Sequence, residues 1–507
     1  MNHSYLLSWL VFSPLLGIIA LLFIPRNKEH LVKRVGFLAT LIPLALAIRV
    51  YSQIQSGKAY TDFAQVHDWF QFGHFPMLEG AFAVRYELGL SGLSLAMILL
   101  TALLSSLAAI ASIYIKHEWK GYFMLFLLLE VGMLGVFAAE NLVLFFIFFE
   151  ITLIPMFFLI GKWGFFEREK AAYTFLLYNG LGSAVLLIVI VTLLARTGTS
   201  NIALLTEILN RGAGDVQTIA PLSESARFGL LIALLVAFGI KLPIFPLHTW
   251  MLQVHVQAPP SIVMLHSGVL LKIGAFGFIR FGLGMFPQEF QKIAGILVVL
   301  GIINLLYGAF LAFIQPDFKK VLAYSSVSHM GIVLIGLGSL NEAGLQGAIF
   351  QVVSHGFISA LLFFLVGVFY ERVNTSTISR LGGLAKTMPL ASGFLLAGTM
   401  ASLGLPGMSG FISEFMAFLG LFKVMPFLAA VGTLGIIMTA VYLLRAVLNM
   451  TFGKSNPVYE GAKDLKGIEA LPVAILLGFI ILIGVYPAVL TELIQTSIQS
   501  IALGIGG

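Results

Sequence analysis

Two proline-interrupted stretches, Lys241-Leu242-Pro243-Ile244-Phe245-Pro246 and Gly404-Leu405-Pro406-Gly407-Met408-Ser409-Gly410, decide how this sequence folds. Both lie inside segments that are otherwise long and apolar enough to span a membrane. Proline removes a backbone hydrogen bond and clashes with the preceding turn, so we expect both helices to break near mid-membrane. An ionisable side chain accompanies each break, Lys241 at the first and Glu414 at the second. Paired broken helices are typical of transporters.

The composition indicates that lipid surrounds much of the chain. Hydrophobic residues make up 59% of the 507 residues and charged residues only 10%, where soluble domains carry roughly 25%. A water-soluble enzyme, a secreted disulfide scaffold and a disordered protein are therefore excluded. The chain has no cysteine, which also excludes thiolate metal sites and Cys-ligated iron–sulfur clusters. The net charge of +6 fits membrane-protein loops better than a nucleic-acid partner, and we expect none.

Long apolar segments predict an all-α polytopic membrane protein of about fourteen transmembrane helices. A spanning helix needs about 20 mostly apolar residues, whereas a barrel strand needs only about 9–11, so strands are not indicated. The predicted spans are 5–24, 35–54, 88–114, 121–138, 141–160, 174–195, 228–249, 259–282, 293–313, 321–340, 345–369, 390–420, 427–450 and 469–491.

The distribution of lysine and arginine predicts the orientation. With the N-terminus outside, the inner loops hold 17 of these residues and the outer loops hold 8. Cytoplasmic loops carry the excess of Lys and Arg. We therefore expect both termini on the outer side of a multi-pass protein, in a bacterial plasma membrane.

The ionisable residues also indicate an internal repeat. Lys241 and Glu414 are separated by 173 residues, and the same separation leads from Lys272 to Arg445. Because each repeat would hold five helices, an odd number, the second copy must be inverted in the membrane. We predict N-terminal helices 1–3 in 1–120, a first five-helix repeat (helices 4–8) in 121–285, a second inverted five-helix repeat (helices 9–13) in 286–452, and helix 14 in 453–507.

Titratable residues inside the predicted spans are the candidate functional groups. Each ionised side chain at the bilayer centre costs roughly 2.5–3.5 kcal/mol, so a purely structural protein would not accumulate them. We interpret the set as a proton path, and the alternative is a few ion pairs that lock helices together. Glu150 has no cation nearby in sequence, and Lys241 is its expected partner. The candidates are Glu130, Glu150, Lys241, Lys272, His329, His355, Glu414 and Arg445.

Other chemistry has little support in the sequence. No glycine-rich loop follows a strand, so nucleotide binding has no platform. His248 and His255 flank a proline-rich turn without an intervening carboxylate, which disfavours a metal site. No haem or flavin motif is visible. We expect no cofactor and no metal in this chain.

Several motifs resemble the antiporter-like subunits of respiratory complex I, the NADH-quinone oxidoreductase. The resemblance covers nearly the whole chain in order, and glutamate at position 414 resembles the subunit M (chain 4) branch, because related branches usually carry lysine there. One departure is Met251-Leu252-Gln253-Val254-His255, where the family commonly has Leu-Pro-Asp-Ala-His. The motifs that carry the resemblance are 148–156, 239–250, 270–274, 317–331 and 404–415.

The resemblance implies fourteen helices in two inverted repeats and no redox centre in this chain. It implies proton translocation coupled to electron transfer to quinone, with the quinone and redox cofactors in partner subunits. Other membrane subunits, including neighbouring antiporter-like ones, are the expected partners. The implied roles are a carboxylate–lysine pair at Glu150 and Lys241, a central lysine at Lys272, an exit-side group at Glu414, and polar positions on the central axis at His329 and His355.

Two other functions remain open at this point. One is a subunit of a multi-protein sodium/proton antiporter, against which glutamate at position 414 argues. The other is a non-transporting scaffold, against which the buried charges argue.

Overall fold

The structure, a computed structural model, describes residues 5–71, 83–211, 220 and 222–505. Within these residues, twelve helices are long and apolar enough to cross a membrane. This confirms the predicted class of an all-α polytopic membrane protein. The count of fourteen stays a prediction, because each of the two proline-interrupted segments forms two shorter helices instead of one long one.

The first half of the chain contains eleven described α-helices and one β-hairpin. The last predicted span of this half is a single helix over Pro260–Leu283, in which the π-helical turns His266–Leu270 and Phe278–Leu283 flank α11. The elements are α1 (Leu6–Phe23), α2 (Glu29–Gln55), β1 (Gln65–Gln71), β2 (Ala83–Leu88), α3 (Gly92–Ala111), α4 (Trp119–Ala138), α5 (Leu142–Trp163), α6 (Arg168–Thr197), α7 (Ile202–Arg211), α8 (Glu224–Lys241), α9 (Thr249–Gln257), α10 (Pro260–Leu265) and α11 (Leu271–Gly277).

The second half is entirely helical in its regular elements. Side-chain caps start several helices, as when Asp317 Oδ1 accepts from the Lys320 amide at 3.2 Å and Asn341 Oδ1 accepts from the Gly344 amide at 3.0 Å. The helices are α12 (Pro287–Ile314), α13 (Phe318–Gly338), α14 (Glu342–Val373), α15 (Leu384–Thr387), α16 (Pro389–Ser402), α17 (Ser409–Val424), α18 (Pro426–Thr451), α19 (Ala470–Val485) and α20 (Ala488–Ile505).

The structure corrects the expectation that the chain has no strands. β1 and β2 pair antiparallel, with Gln65 opposite Leu88. The two strands lie in a loop that the sequence predicted outside the membrane. They have 7 and 6 residues, so they are much shorter than the apolar segments on which the sequence prediction depended.

The last predicted span, 469–491, is also wrong at its end. α19 stops at Val485 and the separate helix α20 begins at Ala488. Pro487 lies between them, and proline cannot supply the backbone N–H that would continue α19. α20 packs on α3 and α14, where the Ser497 hydroxyl accepts from the Leu93 amide at 3.1 Å.

The loops form two opposite faces. On one face, Lys319 Nζ lies 3.8 Å from the ring centroids of both Phe165 and Tyr370, which joins the start of α13 to the loop after α5 and to the end of α14. On the other face, Arg280 and Glu140 form an ion pair. We call the first the basic face, because its loops are those that hold 17 of the lysines and arginines.

The first predicted break is present between α8, which ends at Lys241, and α9, which begins at Thr249. Asn304 of α12 supplies hydrogen bonds that the broken helix lacks. Its Oδ1 accepts from the Phe245 amide at 2.7 Å, and its Nδ2 donates to the carbonyls of Pro243 at 3.2 Å and Val327 at 3.4 Å. A single buried amide therefore joins the break to α13.

The second predicted break lies between α16 and α17. Here a histidine supplies the side-chain partner, because His329 Nε2 donates to the Ser402 carbonyl at 2.9 Å. Gly404 has a φ of +81°, which favours glycine because other residues meet a Cβ clash there. The Ser409 hydroxyl at the start of α17 accepts from Ser354 at 2.7 Å.

Replacing Asn304 tests whether the first break depends on one side chain. Asn304→Ala leaves the Phe245 amide and the Pro243 carbonyl without partners, at about 1–3 kcal/mol for each buried group. We expect a lower thermal denaturation midpoint for the detergent-purified complex. The matched control is Asn210→Ala, because Asn210 is exposed and makes one hydrogen bond of 3.4 Å. Equal stability of the two variants would contradict the dependence of the first break on Asn304.

Candidate functional site

Lys241 is the last residue of α8, and 2% of it is exposed. Its Nζ lies 4.8 Å from the ring centroid of Phe149 and 5.8 Å from that of Phe175. The predicted partner Glu150 follows Phe149 on α5, and its charge acts on Lys241. The two side chains do not form an ion pair within 4.0 Å, and the buried Glu150 Oε1 has no hydrogen-bond partner. The aromatic faces therefore hold the ammonium beside the carboxylate without direct contact.

Lys272 lies on α11 and is completely buried. Its Nζ is 2.7 Å from Nδ1 of His355 on α14, and the Met330 sulfur is 3.8 Å away. At 2.7 Å one of the two nitrogens must donate a hydrogen and the other accept it. The structure thus places the two predicted residues in direct contact, as a pair able to share one proton.

His329 lies between that pair and Glu414. Its ring centroid is 5.5 Å from that of His355, and its Nε2 is 3.8 Å from Glu414 Oε1. Nδ1 faces the Ser325 carbonyl at 2.7 Å, and Nε2 faces the Ser402 carbonyl at 2.9 Å. Carbonyl oxygens only accept, so both bonds form together only when both ring nitrogens carry hydrogen. His329 can therefore hold a positive charge beside the Glu414 carboxylate, whereas its neutral form keeps only one of these two hydrogen bonds.

Two predicted residues lie away from this row. Glu130 is completely buried on α4, and neither of its carboxylate oxygens has a hydrogen-bond partner among the residues that the structure describes. Arg445 is exposed on α18, lies 4.5 Å from the Phe313 ring centroid and donates to the Phe313 carbonyl at 3.2 Å. Contact with the row from Lys272 to Glu414 is therefore seen for neither of them.

The sequence did not predict the contact between two histidines, His255 and His266. His255 Nε2 lies 2.9 Å from His266 Nδ1, and the Trp250 ring packs on His266 at 5.4 Å. The charges of Lys241 and Lys272 both act on His266, which therefore lies near both lysines. Half of the signal was present in the sequence, because His266 lies in the predicted span 259–282, where a titratable group is costly, whereas His255 lies outside the predicted spans.

One cavity lies beside the first break, and one groove reaches Glu414 in the row. A cavity of about 360 Å³ opens on the basic face beside α9, and its lining includes Gln253, Gln257 and Tyr324. A groove of about 620 Å³ opens sideways between α17 and α18, where Glu414 lies among phenylalanines such as Phe418. Polar access therefore lies near the first break, and an apolar groove lies at Glu414.

Comparison with known proteins gives the same relatives by sequence and by structure. A sequence model of the family described as "NADH:quinone oxidoreductase/Mrp antiporter, TM" matches residues 139–439. NADH-quinone oxidoreductase subunit M from Rhodobacter capsulatus is 36% identical over 502 residues, covering 97% of this chain and 95% of that relative. NAD(P)H-quinone oxidoreductase chain 4 2 from Thermosynechococcus vestitus is 38% identical over 516 residues, covering 98% of this chain and 92% of that relative.

A solved structure shares the fold. A chain in the respiratory complex I from Thermus thermophilus with bound NADH matches with a TM-score of 0.86 and 31% identity. The match covers 99% of this chain and 100% of that chain.

Broken helices and a buried row of ionisable side chains define a polytopic membrane protein of the antiporter-like class. The matched model and the full-length relatives show that the chain belongs to the family of NADH:quinone oxidoreductase and Mrp antiporter membrane subunits. This confirms the resemblance drawn from the motifs, including its subunit M (chain 4) branch.

Two glycines at the second break provide a matched test of the Glu414 environment. A Cβ at Gly404 would lie 2.5 Å from Glu414 Oε2, whereas a Cβ at Gly407 would have open space around it. Both residues have positive φ, +81° and +91°, so Gly→Ala costs about 1–2 kcal/mol of backbone strain at either position. We expect Gly404→Ala to lower proton pumping by the complex and Gly407→Ala to lower only stability. Equal pumping by both variants would contradict a role for the Glu414 position.

Proposed function

We propose that this chain translocates protons across the membrane as a subunit of a complex I-like quinone oxidoreductase. The observation that carries the proposal is the buried row formed by Lys272, His355, His329 and Glu414. The contacts along it are 2.7 Å, 5.5 Å between ring centroids, and 3.8 Å. A row of groups that each bind or release a proton moves charge through a region where a free ion is costly.

Electrostatic control is the proposed role of Glu150 and Lys241. Burial disfavours the charged form of an ammonium, and a nearby carboxylate favours it. At roughly 4–6 Å and an effective dielectric of 20, that attraction is about 3–4 kcal/mol. Protonation or movement of Glu150 therefore releases a proton from Lys241 toward Lys272. The break after Lys241 gives this side chain the backbone freedom that such a step requires.

Electron transfer belongs to other subunits in this proposal. The named relatives are subunits of quinone oxidoreductases, and the chain offers no cysteine for an iron–sulfur cluster. Quinone and the redox cofactors are therefore proposed to bind partner subunits. Neighbouring antiporter-like subunits are proposed to pack against the exposed apolar helix faces. The isolated chain in vesicles should show no quinone turnover.

A sodium/proton antiporter subunit is the second candidate, because the matched family description includes Mrp antiporters. Glutamate at position 414 favours the quinone oxidoreductase. Sodium-dependent proton transport by the purified native assembly, without quinone turnover, would favour the antiporter. A non-transporting scaffold is disfavoured by the number of buried titratable groups.

Conservative substitutions separate a proton path from a static set of helix contacts. We expect Glu414→Gln, Glu150→Gln and Lys241→Arg each to abolish the share of pumping carried by this subunit, because none of the new side chains can exchange the proton. The measurement is protons pumped per quinone reduced by the native complex in proteoliposomes, with complex assembly checked in parallel.

The matched control is Lys292→Gln, which breaks an exposed ion pair with Glu224 and should leave pumping unchanged. Near-normal pumping by an assembled Lys241→Arg complex would instead favour a static contact between α5 and α8.

Cysteine labelling tests the proposed orientation, in which both termini lie on the outer side of a bacterial plasma membrane. The chain contains no native cysteine, so each introduced thiol reports alone. Exposed Lys454 and Lys423 lie on the basic and the opposite face. We expect a membrane-impermeant thiol reagent to label Lys454→Cys only from inside and Lys423→Cys only from outside. The reverse pattern would invert the topology.

A further inference from the structure

A cavity on the basic face lies beside the second half of the chain and has no part in the path described above. It has a volume of about 460 Å³ and is lined by the ends of α12 and α18 and the loop before α15. Its polar lining includes Gln315, Ser379, Tyr442, Arg445 and Asn449. We call it the Tyr442 cavity.

Tyr442 connects this cavity to the buried row through direct hydrogen bonds. Its hydroxyl donates to Ser325 Oγ at 2.8 Å, and Ser325 Oγ lies 3.3 Å from His329 Nδ1. The exposed fraction is 2% for Tyr442 and 4% for Ser325. Tyr442, which lines the cavity, and Ser325 therefore form a hydrogen-bonded connection from the cavity wall to His329.

We propose that the Tyr442 cavity is a second proton-uptake opening on the basic face, which supplies His329 and Glu414 through Tyr442 and Ser325. The proposal rests on the proposed function, because it assumes that Glu414 carries protons. It assigns Tyr442 and Ser325 as proton-relay residues. The second half of the chain would then take up protons from the basic face by its own route.

The proton balance of the relay is simple. A proton from cavity water binds the Tyr442 oxygen as the proton of Tyr442 passes to Ser325, and the hydroxyl proton of Ser325 passes to His329 Nδ1. His329 is then a cation that donates to the Ser325 and Ser402 carbonyls, and its Nε2 proton passes to Glu414. His329 is left neutral with its hydrogen on Nδ1, and tautomeric exchange restores the Nε2–H form before the next proton arrives. One proton moves from the basic face to Glu414, and Tyr442 and Ser325 end as neutral hydroxyls.

Arg445 has a different role in this arrangement from the place in the proton path that its equivalence to Lys272 in the repeat suggested. Its guanidinium is tied to the Phe313 carbonyl and ring at the rim of the cavity. The fixed charge lies at the opening, and the relay itself begins at Tyr442. We therefore assign Arg445 to the opening and not to the row.

The first experiment removes the relay hydroxyls. In the native complex reconstituted in proteoliposomes, we expect Tyr442→Phe and Ser325→Ala to lower the protons pumped per quinone reduced toward the value of Glu414→Gln. A contact that only joined α13 to α18 would lower the amount of assembled complex without changing this ratio. Tyr173→Phe is the matched control, because Tyr173 is 60% exposed on α6 and should leave the ratio unchanged.

The second experiment blocks the opening and does not touch the relay. Asn449→Cys lines the cavity, while its neighbour Leu448→Cys is 43% exposed but does not line it. A bulky impermeant thiol reagent applied on the basic face should label Asn449→Cys and lower the ratio, whereas any label on Leu448→Cys should leave the ratio unchanged. In the Tyr442→Phe background the same label should cause no further loss.

The outcomes separate the two proposals. If Glu414→Gln lowers the ratio but Tyr442→Phe, Ser325→Ala and the labelled Asn449→Cys do not, the second opening is wrong and proton translocation stands. If Glu414→Gln itself leaves the ratio unchanged, the proposed function fails. Labelling of Asn449→Cys only from the opposite face would also overturn the second opening.

Discussion

Every backbone amide and carbonyl in lipid must find a hydrogen-bond partner inside the protein, and this requirement governs the structure. Unbroken helices satisfy the rule by themselves, but the breaks after Lys241 and Ser402 do not. Polar side chains from neighbouring helices supply the missing partners, Asn304 at the first break and His329 at the second. The breaks thus bring polar groups into a region that otherwise excludes them, and the row of titratable residues lies among these groups.

The central position of α13 and α14 follows from the same constraint. The most apolar window is 94% buried in α13 and 100% buried in α14, so their histidines face protein on all sides. α12 approaches α13 closely because Gly308 has no side chain, and a Cβ there would lie 2.7 Å from the Ser328 amide nitrogen. This close approach lets one Asn304 side chain reach both the first break and the Val327 carbonyl of α13. Tight helix packing and the supply of polar partners therefore depend on each other.

The sequence predicted what composition and proline positions control, and missed what depends on contacts between distant segments. The membrane class and both breaks were predicted because apolar length and proline act locally. The hairpin of β1 and β2 was missed because short strands carry a weak periodic signal. The stop at Pro487 was missed because the apolar run continues past this proline to Leu490. Glu150 and Lys241 were expected to be paired, but their side chains are not in direct contact, and Lys241 Nζ lies 4.8 Å from the centroid of the Phe149 ring. Spacing along the chain cannot reveal this arrangement. Asn304 was missed because one polar residue in an apolar helix gives no hint of which break it serves.

The two breaks differ in one chemical respect that bears on how the halves of the chain work together. Asn304 is a neutral amide, so its three hydrogen bonds persist whatever the state of the nearby titratable groups. His329 bonds to the Ser325 and Ser402 carbonyls together only as a cation. Loss of the Nε2 proton therefore also removes the hydrogen bond that holds the end of α16, next to Gly404 and the Glu414 carboxylate. The first break is a fixed support for Lys241, whereas the backbone geometry of the second break is coupled to the proton that His329 carries.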